Sequence, residues 1–535
     1  MISTDRTTVQ DFADQPGGDY NVVPYDSMPF PQSEPSRLAG LGRLFGLDPA
    51  PVSRARVLEL GCASGGNLIP LAARFPEARF VGLDLSARHV AEGRERISEL
   101  DLSNIEIRQG DLTEVSLGDE RFDYIVCHGV YSWIPPAAQD AVLRISAESL
   151  SPNGVAYVSY NVFPGWQMRN IVRDIMLYHA GERGEPRQRI AKARWALEQM
   201  AKFTREDSPY GAMLRNEAKI IVGMNDSYIL GEFLAADNAP CYFREFIARA
   251  EAHKLSYLCE SELPLCLPEN LSPEIGPLIR TMSANNLIPL EQYIDFFVGR
   301  TFRQTLLVHA RQAANIKRTL TAEHVGQLHV SGRIGFSAAD SAADRYVFRD
   351  SAGRMLTTGD KLVRSALERL GAAFPETRTV GQLLKEVASS NGPPVTQAAA
   401  RIADAVFKMV VGGLVTVSAE PVRTGRATAN KPKAWPVARI DAAAKRRSTT
   451  SLRHEVARLD VVSTALLPAL DGNHDREALK ERLLKAVRGG DITLIDNKSR
   501  QPLKDGAALA TAAAEHVDLA IQRLADGGLL EAEQG

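Results

Sequence analysis

Between Arg56 and Tyr160 short apolar runs alternate with amphipathic ones. "ARVLELG", "RFVGLDLS", "NIEIRQGDL", "FDYIVCHG" and "GVAYVSYN" read as strands, with "NLIPLAARF" and "ARHVAEGRERISELD" as helices between the first of them. Strands that are apolar without alternation are buried on both faces. The pattern therefore predicts an α/β fold, a doubly wound, Rossmann-like parallel sheet. From Gln167 to about Arg318 the apolar spacing changes to three and four, as in "QMRNIVRDIMLYHA", "IAKARWALEQMAKF" and "CYFREFIARAEAHKL", and predicts a mostly helical block. Beyond Gln327 "ALERLGAAFPETRTVGQLLKEV" is echoed by "VSTALLPALDGNHDREALKERLLKAV". Each is followed by a helix ending in a double glycine, "IADAVFKMVVGGLVTV" and "VDLAIQRLADGGLLEA". Helices followed by a glycine turn into a strand predict two small winged-helix-like α+β units. The stretch "RTGRATANKPKAWPVARIDAAAKRRSTTS" between them reads as an exposed basic linker. The expected domains are residues 1–166, 167–325, 326–425 and 426–535.

Composition narrows the function. A chain of 535 residues is too long for one core. Its 63 basic residues are balanced by 65 acidic ones, a net charge of −2, which weighs against a general nucleic-acid or membrane-surface binder. Asp471, Asp475 and Glu477 crowd the second winged-helix-like unit, so a protein-docking or structural role is expected there and DNA binding is not. The C-terminal unit from Leu459 onward is remote in sequence from the chemistry-bearing motifs, and its deletion is expected to leave cofactor binding intact and to reduce turnover on protein. The N-terminus is polar and acidic, without the apolar core of a signal peptide, and no apolar run is long enough to span a bilayer. Five cysteines, at 62, 127, 241, 259 and 266, form no Cys-x-x-Cys set. Neither a disulfide framework nor a metal site is expected, and the compartment expected is the cytoplasm. The helical block carries no catalytic constellation and is read as an interaction module that pairs two copies of the chain as a homodimer.

The loops of the first domain carry the chemistry. "ELGCASGGN" is a glycine-rich turn between strand and helix, where a ligand can approach the backbone and free amides. Asp84 ends the second strand about 20 residues further on, where an acidic residue grips ribose hydroxyls. Asp111 ends the third and can face an adenine edge. The turn runs Glu59-x-Gly61-x-Ala63-x-Gly65 and departs from Gly-x-Gly-x-x-Gly, so S-adenosylmethionine is favoured over a nicotinamide cofactor. Ala63 stands where a glycine is usual, and its methyl group fits if φ is negative there. We assign Tyr25, Glu59, Gly61, Cys62, Ala63, Gly65, Asn67, Asp84, Leu85, Asp111, Leu112, Cys127 and His128 to the cofactor. The segment Tyr20 to Ser36, rich in proline and aromatic residues, is read as a lid.

The stretch "HGVYSWIPP" (His128 to Pro136), with "YDSMPFPQSEPSRLAGLGRLFGL" upstream and "CYFREFIARAEAHKLSYLCESEL" and "EQYIDFFVGRTFRQTLLVH" downstream, resembles a bacterial family of class I methyltransferases with an attached regulatory domain. The resemblance covers most of the chain. Its characterised relatives are rickettsial protein-lysine methyltransferases that act on a large outer-membrane surface protein. The resemblance thus implies a protein substrate with lysine acceptors.

The loop after the fourth strand lacks the Asn/Asp-Pro-Pro-Tyr/Phe of enzymes acting on adenine or glutamine, so a planar nitrogen is not the favoured acceptor. Tyr131 and Trp133 are expected to wall an acceptor channel, with Tyr160 and Asn161 offering hydrogen bonds. A packing role for Trp133 is an equal alternative. Three other functions compete: methylation of a small metabolite, which would not need the large C-terminal part; methylation of nucleic acid, against which the net charge weighs; and a non-catalytic S-adenosylmethionine-binding module.

Overall fold

The computed structural model describes residues 27–181, 183–388, 393–495, 501–503 and 506–532. Its centre is a seven-stranded sheet. The strands are β1 (Arg56–Leu60), β2 (Arg79–Asp84), β3 (Ile105–Gln109), β4 (Phe122–Cys127), β5 (Leu150–Asn161), β6 (Leu255–Glu260) and β7 (Phe302–His309), in the order β3-β2-β1-β4-β5-β7-β6. Strands β1 to β5 pair in parallel, and β7 runs antiparallel to both of its neighbours. Strand order reverses between β1 and β4, which opens a crevice beyond their carboxyl ends. Along β1, Val57 enters one core while Leu58 and Leu60 enter the other. Both faces are covered, which is why the strands read as unbroken apolar runs.

On the faces lie α1 (Pro35–Leu44), α2 (Ile69–Arg74), α3 (Ala87–Glu99) and α4 (Pro136–Ser149). Ser86 caps α3 by accepting the His89 N–H at 3.2 Å. The helical block begins with α5 (Gly165–Ala180), α6 (Pro186–Phe203) and α7 (Pro209–Ile221), which share a core that includes Met176, Leu197, Leu214 and Phe233. It continues with α8 (Phe243–Ala252) and α9 (Leu287–Val298).

The stretch read as mostly helical also supplies β6 and β7 to the sheet. "LSYLCE" directly follows α8, and a short apolar run beside an amphipathic helix does not reveal its own period. One buried cation joins these elements. Arg303 of β7 meets Glu260 of β6 at 2.7 Å, and Asp295 and Glu291 of α9 at 2.8 and 3.1 Å.

The middle unit contains α10 (Lys361–Ala373), α11 (Val380–Val387) and α12 (Val395–Val411), followed by the glycine turn and a short strand at Thr416–Ser418. The C-terminal winged helix contains α13 (Pro436–Ala443), α14 (Val461–Leu466), α15 (Arg476–Arg488) and α16 (Ala507–Asp526). The supposed basic linker is no linker. It forms α13 and buries Trp435, Val437 and Ala442 in the core of the C-terminal unit. Flanking Lys and Arg residues masked a short face made of small apolar side chains. Among the described residues no helix is long and apolar enough to cross a membrane, and all five cysteines are buried and free.

Candidate active site

The turn after β1 is shaped by Asp84. Gly61 and Cys62 donate their N–H groups to the Leu83 carbonyl at 2.8 and 3.0 Å. Asp84 Oδ2 accepts from the Ala63 N–H at 2.8 Å, and Oδ1 accepts from the Ser86 N–H at 2.9 Å. Gly61 has φ +74°, and a Cβ on it would lie 2.5 Å from Val130 Cγ2. Ala63 has φ +46°, so the condition of a negative φ for its methyl group is not met. The left-handed region costs an L-residue about 1–2 kcal/mol, and the Asp84 hydrogen bond holds the alanine there. Gly65, at φ +75°, shapes the turn without facing the cavity.

A cavity of about 860 Å³ opens beyond the ends of β1, β2, β4 and β5. Glu59, Gly61, Cys62, Ala63, Asn67, Asp84, Leu85, Asp111, Leu112 and His128 line it, as do Trp133 and Asn161. Asp111 Oδ1 accepts from the Thr113 N–H at 2.8 Å, which orders the loop after β3. His128 Nδ1 lies 2.8 Å from the Tyr157 hydroxyl, and the imidazole packs on Phe30 with centroids 3.8 Å apart. Burial lowers its pKa to about 3. It is neutral at physiological pH and lines the cavity as an aromatic surface.

Asn67 organises the floor. Its Nδ2 donates to Glu59 Oε1 at 2.8 Å and to Ser33 Oγ at 3.1 Å. Its Oδ1 accepts from the Phe30 N–H at 2.9 Å and lies 2.7 Å from His454 Nε2. Glu59 Oε2 is buried with no hydrogen-bond partner among the described residues. Burial pushes the Glu59 pKa up to about 8; the Asn67 hydrogen bond opposes that shift and the Asp84 charge adds to it. A buried, unsatisfied carboxyl oxygen beside an open cavity fits a ligand with a positively charged group.

The remaining site expectations divide. Tyr25 lies outside the described residues. Of the lid, Ser27 accepts the Gly66 N–H at 2.7 Å, and Ser27, Met28 and Phe30 line the cavity. Cys127 is buried in the core. Trp133 reaches the cavity and meets Trp166 edge-on at 5.6 Å. The backbone N–H of Asn161 donates to Ser132 Oγ at 2.8 Å. Tyr131 and Tyr160 do not wall a channel. Both are fully buried, Tyr131 edge-on to Phe246 at 5.3 Å and Tyr160 stacked on the same ring at 3.8 Å. Phe302 of β7 and Arg169, Tyr228 and Glu232 of the helical block complete the wall. None of these four carries a local motif; the quoted "GRTFRQTLLVH" contained Phe302 without pointing to it.

The corrected place of Tyr131 carries a prediction. Its hydroxyl is buried without a well-formed hydrogen bond, and the Arg249 that faces it opposes the rise that burial gives its pKa. Tyr131→Phe is expected to keep turnover and to hold or raise the melting temperature. Tyr131→Ala should cost about 3–5 kcal/mol through the cavity it leaves. Thermal unfolding beside a methyl-transfer assay checks both, and a Phe variant that folds normally but is inactive would return the hydroxyl to the chemistry.

Comparison with known proteins places this geometry. Residues 57–154 match a methyltransferase domain, 225–309 a predicted methyltransferase regulatory domain and 430–529 a PKMT C-terminal winged helix domain. Uncharacterized protein RP789 of Rickettsia prowazekii (strain Madrid E) is 30% identical over 487 residues, covering 89% of this chain and 87% of that one. The chain belongs to this family of class I methyltransferases. PKMT2 from Rickettsia typhi superposes on the methyltransferase with a TM-score of 0.84 at 26% identity, over 95% of this chain and all 100% of that one. PKMT2 in complex with AdoHcy superposes with the same TM-score at 27% identity. The methyl donor of the methyltransferase is S-adenosylmethionine. The ammonium group of its amino-acid end is a donor of the kind that the orphaned Glu59 oxygen can accept.

Proposed function

We propose that this methyltransferase acts on lysine side chains of a protein. The observation that carries the reading is the charge of the cavity wall. Of its four carboxyl residues, Glu59, Asp84 and Asp111 are taken by the cofactor, and Glu232, beside Arg169, is left to face the acceptor. Such a wall suits a cationic amine and repels an anionic metabolite. The likeness to PKMT2 along nearly the whole chain supports a protein acceptor. The resemblance to rickettsial lysine methyltransferases extends this to a surface protein of the outer membrane.

When bound, S-adenosylmethionine supplies a methyl group activated by a sulfonium. Asp84 and Asp111 would hold its ribose and adenine, Leu85 and Leu112 its apolar faces, and Glu59 the ammonium group of its amino-acid end. Asn67 keeps the Glu59 carboxyl in place. Trp133 excludes water beside the reacting atoms, and Asn161 offers a polar group to orient the amine. Positioning of this kind supplies much of the acceleration in a displacement that needs no metal. Label from methyl-tritiated S-adenosylmethionine, incubated with host lysate, is expected on lysine when modified proteins are read by mass spectrometry. Label confined to small molecules, nucleic acid or other side chains would overturn the reading.

Glu59→Gln tests the cofactor half. Glutamine retains an acceptor for Asn67 but loses the charge. A hydrogen bond to a charged group is worth about 1.5–3 kcal/mol, so calorimetry should show affinity for S-adenosylmethionine falling about 10- to 100-fold. The cofactor-free variant should be more stable than the parent at alkaline pH. The folded parent keeps the Glu59 proton up to about pH 8, whereas the unfolded chain releases it near the usual carboxyl value. Stability of the parent therefore falls as pH rises across that interval, and the variant escapes the loss.

A further inference from the structure

The short helical turn Asp226–Tyr228 runs into a π-helical turn, Ile229–Phe233. The Leu234 N–H reaches back to the Ile229 carbonyl at 3.1 Å, five residues away. One extra residue in a helical turn shifts side chains from their regular face, and such turns recur at functional sites. Here Ile229, Leu230, Phe233 and Leu234 all stay in the helical core. Gly231 and Glu232 are turned to the cavity. The Glu232 carboxyl is partly buried and forms no hydrogen bond or ion pair among the described residues.

The charged groups around it have other partners. Arg169 of α5 faces it but lies 3.8 Å from Glu217 of α7 and over the Trp166 ring. From α6, Arg189 donates to the Gly181 carbonyl, and Arg194 to the carbonyls of Val222 and Met224 and to Asp226. Tyr228 stands on the preceding turn and also lines the cavity. A carboxylate aimed into a cavity, held by a rigid core and left unpaired, has room for one cation.

We propose that Glu232 receives the acceptor amine: its carboxylate pairs with the incoming ammonium and takes its proton. This rests on the lysine reading above. The proton passes from Nζ to the Glu232 carboxylate. The freed electron pair forms the N–C bond to the methyl group, and the C–S bond breaks with its pair left on sulfur. The methylated product carries the positive charge that the sulfonium lost. Burial, opposed by Arg169, raises the Glu232 pKa to about 7, suited to a base that works near neutrality.

The test compares the full-length parent with Glu232→Gln and Glu232→Asp, using host lysate as acceptor and mass spectrometry to read lysine methylation. At neutral pH the Gln variant should lose about 100- to 10,000-fold in transfer. The parent's rate should rise with pH and level off as Glu232 ionises. In the Gln variant that inflection should vanish, the rate climbing until the amine itself deprotonates. Affinity for S-adenosylmethionine by calorimetry should match the parent in both variants, and Glu232→Asp should recover part of the rate. A Gln variant with the parent's rate and pH profile overturns the proposal while lysine methylation stands. Loss of cofactor affinity equal to the loss of rate also overturns it, moving Glu232 to the cofactor. A parent that labels residues other than lysine overturns both readings together. Should the Gln variant fail to fold, the Asp variant decides: a rate with an unshifted inflection and no loss overturns the proposal.

Discussion

Arg303→Met is expected to leave the protein unfolded or nearly so at neutral pH. Arg303 is completely buried, as are its partners Glu260, Glu291 and Asp295. Its guanidinium also lies 3.9 Å from the centre of the Phe243 ring. Methionine fills much of the volume but satisfies no carboxylate. Removing one partner from a buried ion pair costs about 3–5 kcal/mol, because the other charge stays behind without water. Here Glu260 and Glu291 lose their cation and Asp295 keeps only Arg300, at 2.7 Å, against a total stability of about 5–15 kcal/mol for an ordinary domain. Burial already raises the pKa of Glu291 to about 7 and raises that of Asp295, with Arg303 opposing. Without the arginine both should rise further, so folding should take up protons and the variant should regain stability as pH falls below neutrality. Thermal unfolding across pH 5–8 checks this. A melting temperature close to the parent's at pH 8 would show that the cluster is dispensable. Function depends on it because β7, which Arg303 anchors, delivers Phe302 to the cavity.

What could be read in the chain follows from the range of each signal. The parallel sheet and the glycine turn were legible because their causes are local. Unbroken apolar strands, glycines at +74° and +75°, and acidic residues at strand ends all lie within a few residues of their consequences. Tyr131 was misread because a loop gives no period. Nothing in "HGVYSWIPP" says that Trp133 turns to the cavity while Tyr131 turns to Phe246, more than a hundred residues away. The positive φ of Ala63 was not legible, because the Asp84 hydrogen bond that holds it comes from across the turn. Glu232 was invisible for a related reason: it lies in a π-helical turn, whose period the apolar spacing does not announce.

Contacts between distant segments were equally hidden, and those made by residues ahead of Leu459 tie the C-terminal unit to the cofactor site. Deleting residues 430–535 should weaken binding of S-adenosylmethionine at least about tenfold, the loss expected when a charged site loses one supporting hydrogen bond. Asp441 of α13 is 1% exposed and takes Arg96 of α3 at 2.9 Å, Arg446 at 2.7 Å and Thr449 at 2.7 Å. Ala73 of α2 and Leu100 beyond α3 pack against the core of the C-terminal unit. His454, buried at φ +59°, reaches Asn67, the residue that holds Glu59. Burial lowers the His454 pKa to about 3, so the ring is neutral and its Nε2–H donates to the Asn67 oxygen. Deletion strips Asn67 of that donor and exposes one flank of α2 and α3, the helices on either side of the glycine turn and Asp84. His454→Gly in the full chain isolates the hydrogen bond, because glycine adopts the same positive φ without strain. It should reproduce part of the affinity loss by calorimetry, with a melting temperature below the parent's because the buried imidazole leaves a cavity. A truncated protein that binds S-adenosylmethionine as tightly as the parent would show instead that the winged helix leans on the cofactor site without supporting it.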